Sequence, residues 1–211
     1  MYFTVRKLVW IVILGIVFLV LKLIRTKKIQ KHLLQFVLCV CSSIFLLILT
    51  NVPFENLLYR TDLPENIFNY TSSGTIQNTI YGKDSCFILY EDIAGNYKSL
   101  IIPRDEKGYM IPYFNINSEV YSTPPGMPSF VVGRARNTSD YYLSGIGSYS
   151  CDSLAVSDNV DSQFYIINTS HDSSSGSDHT IYLYYAHLNS FSEDYCITIN
   201  GKEFCVANLK A

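Results

Sequence analysis

The first 50 residues contain two long apolar runs and no acidic side chain, and this feature constrains the fold more than any other. They carry seven basic residues, whereas the rest of the chain carries all 18 acids and the other nine bases. The apolar runs cover about residues 8–24 and 33–50. Each is close to the ~20 residues that a membrane-spanning helix needs. The sequence therefore predicts an α-helical transmembrane hairpin in residues 1–50, which would serve as a membrane anchor.

The basic residues predict the orientation of this hairpin. Five of them lie in or beside the connector, residues 25–32, whereas the N-terminal tail has two and the ten residues after the second run have one. By the positive-inside rule the connector is cytoplasmic and both termini lie outside the cytoplasm. A cleaved signal peptide is the alternative for the first run, but no small-x-small cleavage site follows it. We expect a two-span protein of a plasma membrane, with the phospholipid membrane as a partner.

Residues 51–74 are predicted to form a linker and one short helix. Asp62 and Glu65 have the spacing of a capping box, and Pro64 is tolerated in a first helical turn. This pattern predicts a helix over residues 61–70.

Residues 75–211 show the pattern of a β-rich, extracytoplasmic domain, because short β-branched and aromatic runs alternate with turn residues. In the run 180–188 both faces are apolar, which is typical of a central strand covered on both sides. We expect an antiparallel meander, curled into a partial barrel or folded into a sandwich, with one short helix against it. The predicted strands are 75–81, 85–91, 97–103, 109–114, 129–136, 141–149, 163–169, 180–188, 195–199 and 202–207.

The last hairpin places two cysteines opposite one another. Asn200 and Gly201 favour a type I′ turn, since both tolerate positive φ. Centring the turn there pairs Cys196 with Cys205 at a non-hydrogen-bonded position, where Cα atoms approach to ~4.5 Å. Cys196 and Cys205 are therefore a candidate disulfide, the alternative being two reduced cysteines opposed by chance. Cys86 and Cys151 are left as a weaker candidate pair.

The sequence contains no motif specific enough to assign a catalytic, cofactor-binding or metal-binding residue. His187 is the only histidine inside a predicted strand, and a hydrolase would need it beside an acid and a nucleophile. His171 and His179 flank a Ser/Gly-rich loop, which lacks the rigid support that a zinc site needs. The acidic balance of the outer domain argues against binding to nucleic acid.

Several segments resemble the outer domain of uncharacterised membrane-anchored proteins of Gram-positive bacteria of the Firmicutes type. They are residues 52–60, 63–70, 81–85, 101–103, 107–109 and 137–142. The resemblance implies a bacterial plasma membrane and an anchored outer domain, and it implies no activity or site residue.

These observations favour a membrane-anchored cell-surface accessory or binding protein that contacts an envelope protein or a wall component and performs no catalysis. Sixteen of the 17 tyrosines lie beyond residue 50, and an exposed tyrosine patch would suit such a contact. Two alternatives stay open. One is an extracytoplasmic hydrolase, and the other is a membrane immunity or sensor component that acts through the helical hairpin.

Overall fold

The computed structural model describes residues 2–23, 36–37, 39–44, 52–112, 119–123, 128–172 and 179–206. Helix α1 spans Tyr2–Leu23. A single 3-10 turn, Phe54–Leu57, precedes helix α2, which spans Pro64–Thr71. Most of the remaining described residues form strands.

In the described part of the chain, no helix combines the length and the apolar character that crossing a membrane requires. The predicted transmembrane hairpin is therefore wrong, and so is the two-span plasma-membrane localisation with both termini outside. Between Lys7 and Lys22, α1 has 14 uncharged residues. At ~1.5 Å per residue they cover about 21 Å, against ~30 Å of hydrocarbon. The predicted connector and most of the second run lie outside the described residues.

Helix α2 begins later than the capping-box pattern indicated. Its N-cap is Leu63, with no side-chain cap, and Pro64 occupies the first turn. The predicted cap by Asp62 is wrong because Asp62 lies one residue before the N-cap position. The Thr61 hydroxyl instead accepts hydrogen bonds from the Leu63 N–H at 3.3 Å and the Asn66 amide at 2.8 Å.

Sheet 1 is an antiparallel meander of four strands in sequence order. They are β1 (Thr75–Tyr81), β2 (Ser85–Glu91), β3 (Tyr97–Asp105) and β4 (Gly108–Tyr109). The predicted bounds of β1 and β2 are confirmed. The strand predicted over 109–114 is wrong over residues 110–112, which form no strand, and residues 113–114 lie outside the described residues.

Sheets 2 and 3 contain the other described strands. Sheet 2 has the order β5-β6-β7-β10-β9, and sheet 3 the order β12-β11-β8. Sheet 2 consists of β5 (Glu119–Ser122), β6 (Ser129–Gly133), β7 (Tyr141–Tyr149), β9 (Phe164–Asp172) and β10 (His179–Leu188). Sheet 3 consists of β8 (Val156–Asp158), β11 (Cys196–Ile199) and β12 (Lys202–Cys205).

The elements stack in four layers, in the order α2, sheet 1, sheet 2 and sheet 3. Between α2 and sheet 1 the core contains Ile67, Phe68, Cys86, Ile88 and Ile102. Between sheets 1 and 2 it contains Ile80, Phe87, Leu89, Tyr142, Leu183 and Tyr185. Between sheets 2 and 3 it contains Phe130, Val132, Leu143, Tyr182, Tyr184, Ile197 and Phe204. Strand β10 contributes to the last two cores, so its predicted central position is confirmed.

The register of the last hairpin is also confirmed. Cys196 pairs with Cys205 across β11 and β12. The turn residues Asn200 and Gly201 have φ values of 49° and 78°, the positive range that a type I′ turn needs.

Candidate functional site

One buried carboxylate, that of Asp140, joins sheet 1 to sheet 2. Asp140 directly precedes β7, and its side chain is only 5% exposed. Its Oδ1 accepts a hydrogen bond from the backbone N–H of Lys83 at 3.0 Å, and its Oδ2 accepts from the N–H of Asp84 at 2.7 Å and the hydroxyl of Ser85 at 2.9 Å. Nε2 of His187, near the end of β10, lies 3.2 Å from Oδ1. We call these five residues the Asp140 latch.

The latch brings together a serine, an acid and a histidine, but in the wrong order for a hydrolase. Nucleophilic catalysis needs the serine beside the imidazole and the acid behind it. Here the carboxylate of Asp140 stands between Ser85 and His187, and the Ser85 hydroxyl bonds to Asp140 and to the Tyr142 hydroxyl at 3.1 Å. Ser85 has no exposed surface. The arrangement therefore suits a structural role.

The pKa of Asp140 lies below its usual value. Burial alone would raise it, but the N–H groups of Lys83 and Asp84, the Ser85 hydroxyl and His187 outweigh that effect. The carboxylate is therefore ionised at neutral pH and acts as an acceptor for the turn between β1 and β2.

The turn between β1 and β2 fits closely against this carboxylate. A Cβ atom on Gly82 would lie 2.5 Å from the Asp140 carboxyl group and from the Tyr142 hydroxyl. A second hydrogen bond has its donor on the other side of this contact: the Ser139 hydroxyl donates to the Asp84 carboxylate at 2.7 Å. The latch thus fixes the position of sheet 1 on sheet 2.

A groove lies on the face of sheet 2 that sheet 1 covers only in part. Its floor comes from four adjacent strands, β6, β7, β10 and β9, and one wall comes from the turn between β2 and β3. Three inter-strand spacings of ~4.8 Å give the groove an extent of about 14 Å across the strands. A peptide lying across the strands would place about four extended residues in it. The sheet 2 groove is lined by Gly95, Asn96, Tyr97, Ser129, Val131, Ser144, Gly145, Ile146, Thr169, Ile181 and Leu183.

The lining of this groove contains no side chain that is charged at neutral pH. Val131, Ile146 and Ile181 offer aliphatic surface, and Ile146 is 49% exposed. Ser129, Ser144, Thr169 and Asn96 add uncharged polar groups. Sites lined mainly by apolar side chains with a few polar groups are typical of ligand-binding clefts.

Six of the tyrosines that suggested an exposed patch lie instead in the core. Among the described residues, Tyr109, Tyr142, Tyr182, Tyr184, Tyr185 and Tyr195 are buried. Several of these hydroxyls have hydrogen-bond partners. The Tyr185 hydroxyl accepts from the Asn78 amide of β1 at 3.0 Å, and the Tyr182 hydroxyl donates to the Cys151 carbonyl at 2.9 Å.

The remaining sequence candidates belong neither to the groove lining nor to the Asp140 latch. His171 and His179 lie at the facing ends of β9 and β10, and residues 173–178 between those strands lie outside the described residues. Cys196 and Cys205 are joined by a disulfide, with their Cα atoms 4.0 Å apart. The Glu203 carboxylate lies close to both sulfurs, but sulfurs bonded to each other are not thiolate ligands.

The weaker cysteine pair is not formed in the structure. Cys86 and Cys151 are free thiols. Cys86 is buried between α2 and sheet 1, whereas Cys151 packs against the core between sheets 2 and 3. Sheets 1 and 2 therefore separate the two cysteines. The predicted disulfide between Cys86 and Cys151 is wrong.

Comparisons of the chain with protein families, with curated proteins and with solved structures found no match. The resemblance to membrane-anchored proteins of Gram-positive bacteria therefore stays a prediction.

Proposed function

We propose that the β domain is a non-catalytic binding domain, and that its sheet 2 groove holds an uncharged, extended segment of a partner protein. The observation that supports this most directly is the lining of the groove, which is open, partly aliphatic and free of charged side chains. A charged segment would lose hydration there without gaining a counter-charge.

Two further observations favour a segment of a protein over a compact ligand. The groove crosses four strands rather than closing into a cavity, and its width matches a short extended peptide. Side chains such as Ser144 and Thr169, together with Asn96, lie among the aliphatic groups, where backbone N–H and C=O groups of a peptide need hydrogen-bond partners.

What supports a non-catalytic role is the order of groups in the Asp140 latch. The histidine and the serine both face the same carboxylate, and the serine is fully buried. No observation on the described residues favours the hydrolase alternative. The immunity or sensor alternative required the predicted transmembrane hairpin. Because that prediction is wrong, nothing now supports this alternative.

The test is selection of a phage-displayed random 12-residue peptide library on the full-length protein. A mild detergent is included because α1 exposes apolar side chains such as Leu8 and Phe18. We expect enrichment of peptides with an uncharged core that bind Ile146→Asp at least roughly tenfold more weakly, because burying the new carboxylate without a partner is costly.

The matched control is Val120→Asp. Val120 lies in β5, outside the groove lining, and is 46% exposed, nearly the same as Ile146. It should bind the selected peptides as the wild type does. Peptides that bind Ile146→Asp unchanged, or that are uniformly charged, would refute the proposal, as would the absence of any enrichment.

A further inference from the structure

Strand β9 ends sheet 2, and its outer edge borders the groove. It pairs with β10, and within the described residues no other strand pairs with it. An edge strand presents unpaired backbone N–H and C=O groups, which form a template for another strand.

The other sheet edges carry features that discourage such pairing. Strands β4 and β8 have two and three residues, and β5 has four with a register shift. Strand β12 exposes Lys202 and Glu203. Short, irregular or charged edges are the usual protection against strand addition.

Strand β1 is long and uncharged, but its edge is also protected. Its pairing with β2 shifts register at Gln77. The side chain of Asn78 accepts a hydrogen bond from the N–H of Thr79 at 2.9 Å, so a side chain already occupies that backbone donor. A bulge and a side-chain bond of this kind break the regular row of backbone groups that an added strand would need.

The first part of β9 lacks these features. Residues 164–168, Phe-Tyr-Ile-Ile-Asn, contain no charge and no proline. Their pairing with β10 is regular, from Phe164 opposite Ala186 to Asn168 opposite Tyr182. Tyr165 and Ile166 are 36% and 37% exposed, so the strand also offers apolar side chains to an added segment. Such a run pairs readily with an added strand.

A register shift between Asn168 and Ser170 connects this edge to the groove. At the shift, Thr169 has no partner in the β10 ladder, and its side chain lines the groove. Its hydroxyl donates to the Ile181 carbonyl at 3.0 Å, which fixes the irregular backbone. The groove and the free edge of β9 therefore meet at Thr169.

We propose that the partner segment, where it leaves the groove beside Thr169, continues as an added strand along residues 164–168 of β9. This inference rests on the proposed function, and it specifies the partner as an uncharged segment of about nine residues. About four would lie in the groove and five would pair with β9. Main-chain hydrogen bonds would supply affinity at the edge, and the groove would select uncharged side chains.

The experiment compares two variants against the peptides selected on the wild type. Ile166→Lys places a charge on the edge strand, and Ile146→Asp places one in the groove. Ile166 is 37% exposed, so the lysine reaches solvent and the fold is retained, which circular dichroism checks. Val120→Lys is the matched control for a lysine on an exposed strand position.

Binding that falls at least roughly tenfold in both variants, and not in the control, supports both proposals. A loss in Ile146→Asp alone overturns the added strand and leaves the groove. A loss in Ile166→Lys alone overturns the groove as the site. Failure to select any peptide overturns both.

Hydrogen exchange gives a readout that a general loss of stability would not produce. Adding a selected peptide to the wild type should slow exchange of the outward-facing amides of residues 164–168 by roughly tenfold or more, because they gain hydrogen bonds. Unchanged exchange in these residues, with peptide bound, would overturn the added strand.

Discussion

Nε2 of His187 lies 3.2 Å from Oδ1 of Asp140, and this contact connects the end of β10 to the residue that precedes β7. The same carboxylate holds the turn between β1 and β2, so one side chain connects two sheets. A hydrogen bond of this kind to a buried carboxylate is stronger than one between neutral groups.

The first prediction concerns this carboxylate. Asp140→Asn should lower the free energy of unfolding by about 2–4 kcal/mol, since an amide cannot accept all the bonds that the carboxylate accepts and leaves buried donors unpaired. Urea denaturation followed by circular dichroism at neutral pH measures the loss. Asp152→Asn, at an exposed position, should change stability by less than ~0.5 kcal/mol. Equal stability of the two variants would contradict the structural role of the latch.

The lowered pKa of Asp140 predicts how stability changes with pH. A carboxyl group whose pKa is lower in the folded state contributes its full stability above the unfolded value of ~3.9 and loses it as the pH falls through the folded value. The wild type should therefore lose stability below about pH 4 more steeply than Asp140→Asn. Parallel pH profiles of the two proteins would contradict this.

Asp92 provides a control for the pH experiment. The pKa of Asp92 is lowered to about 2, mainly by a hydrogen bond from Lys98 and to a smaller extent by one from the N–H of Asn96. The Lys98 side chain is 55% exposed, however, and solvent screens such surface pairs. Asp92→Asn should therefore leave the acid limb of the wild-type profile nearly unchanged.

The cysteines are predicted to react unequally with a maleimide. Cys86 has no exposed surface, and burial raises the pKa of its thiol to about 12. In a variant with Cys39 and Cys41 replaced by serine, the folded protein should be labelled at Cys151, which is partly exposed, and at Cys86 only after denaturation. Peptide mapping without reductant should recover Cys196 joined to Cys205. Labelling of Cys86 as fast as Cys151 in the folded state would contradict its burial.

The segment before α2 offers a matched pair of substitutions. The Asn56 side chain donates to the Ile111 carbonyl and accepts from the Ile111 N–H, both at 2.8 Å, while Leu58 is 97% exposed. Asn56→Ala should cost about 2 kcal/mol because it leaves two backbone groups of a buried residue unpaired. Leu58→Ala should cost less than ~0.5 kcal/mol. Thermal unfolding distinguishes them, and equal losses would contradict the contact.

The β domain could be predicted from the sequence where local signals were strong. The bounds of β1, β2 and β7 follow from β-branched and aromatic runs between turn residues, and the register of Cys196 with Cys205 follows from the conformational demands of Asn200 and Gly201. Strands β5 and β8 could not be predicted, because four or three residues show no periodicity.

The candidate site could not be predicted, because its residues are distant in sequence. The groove combines residues 95–97 with residues from four other strands, and the Asp140 latch joins residue 140 to residues 83–85 and 187. Only the pairing of the strands brings them together. The hydrolase hypothesis identified His187 but not its partner, since no local pattern connects His187 with Asp140.

The buried tyrosines of sheet 2 bear on how the layers keep their positions. Apolar contacts have no preferred direction, so aliphatic packing alone sets the alignment of two sheets less sharply than a directional hydrogen bond does. The hydroxyls of Tyr142 and Tyr185 end at hydrogen-bond partners on sheet 1, Ser85 and Asn78. These rings therefore work as spacers of fixed length with a specific contact at the tip. Replacing both by phenylalanine would keep the thickness of the core and remove two of the contacts that align its sheets, leaving the Asp140 latch as the main one.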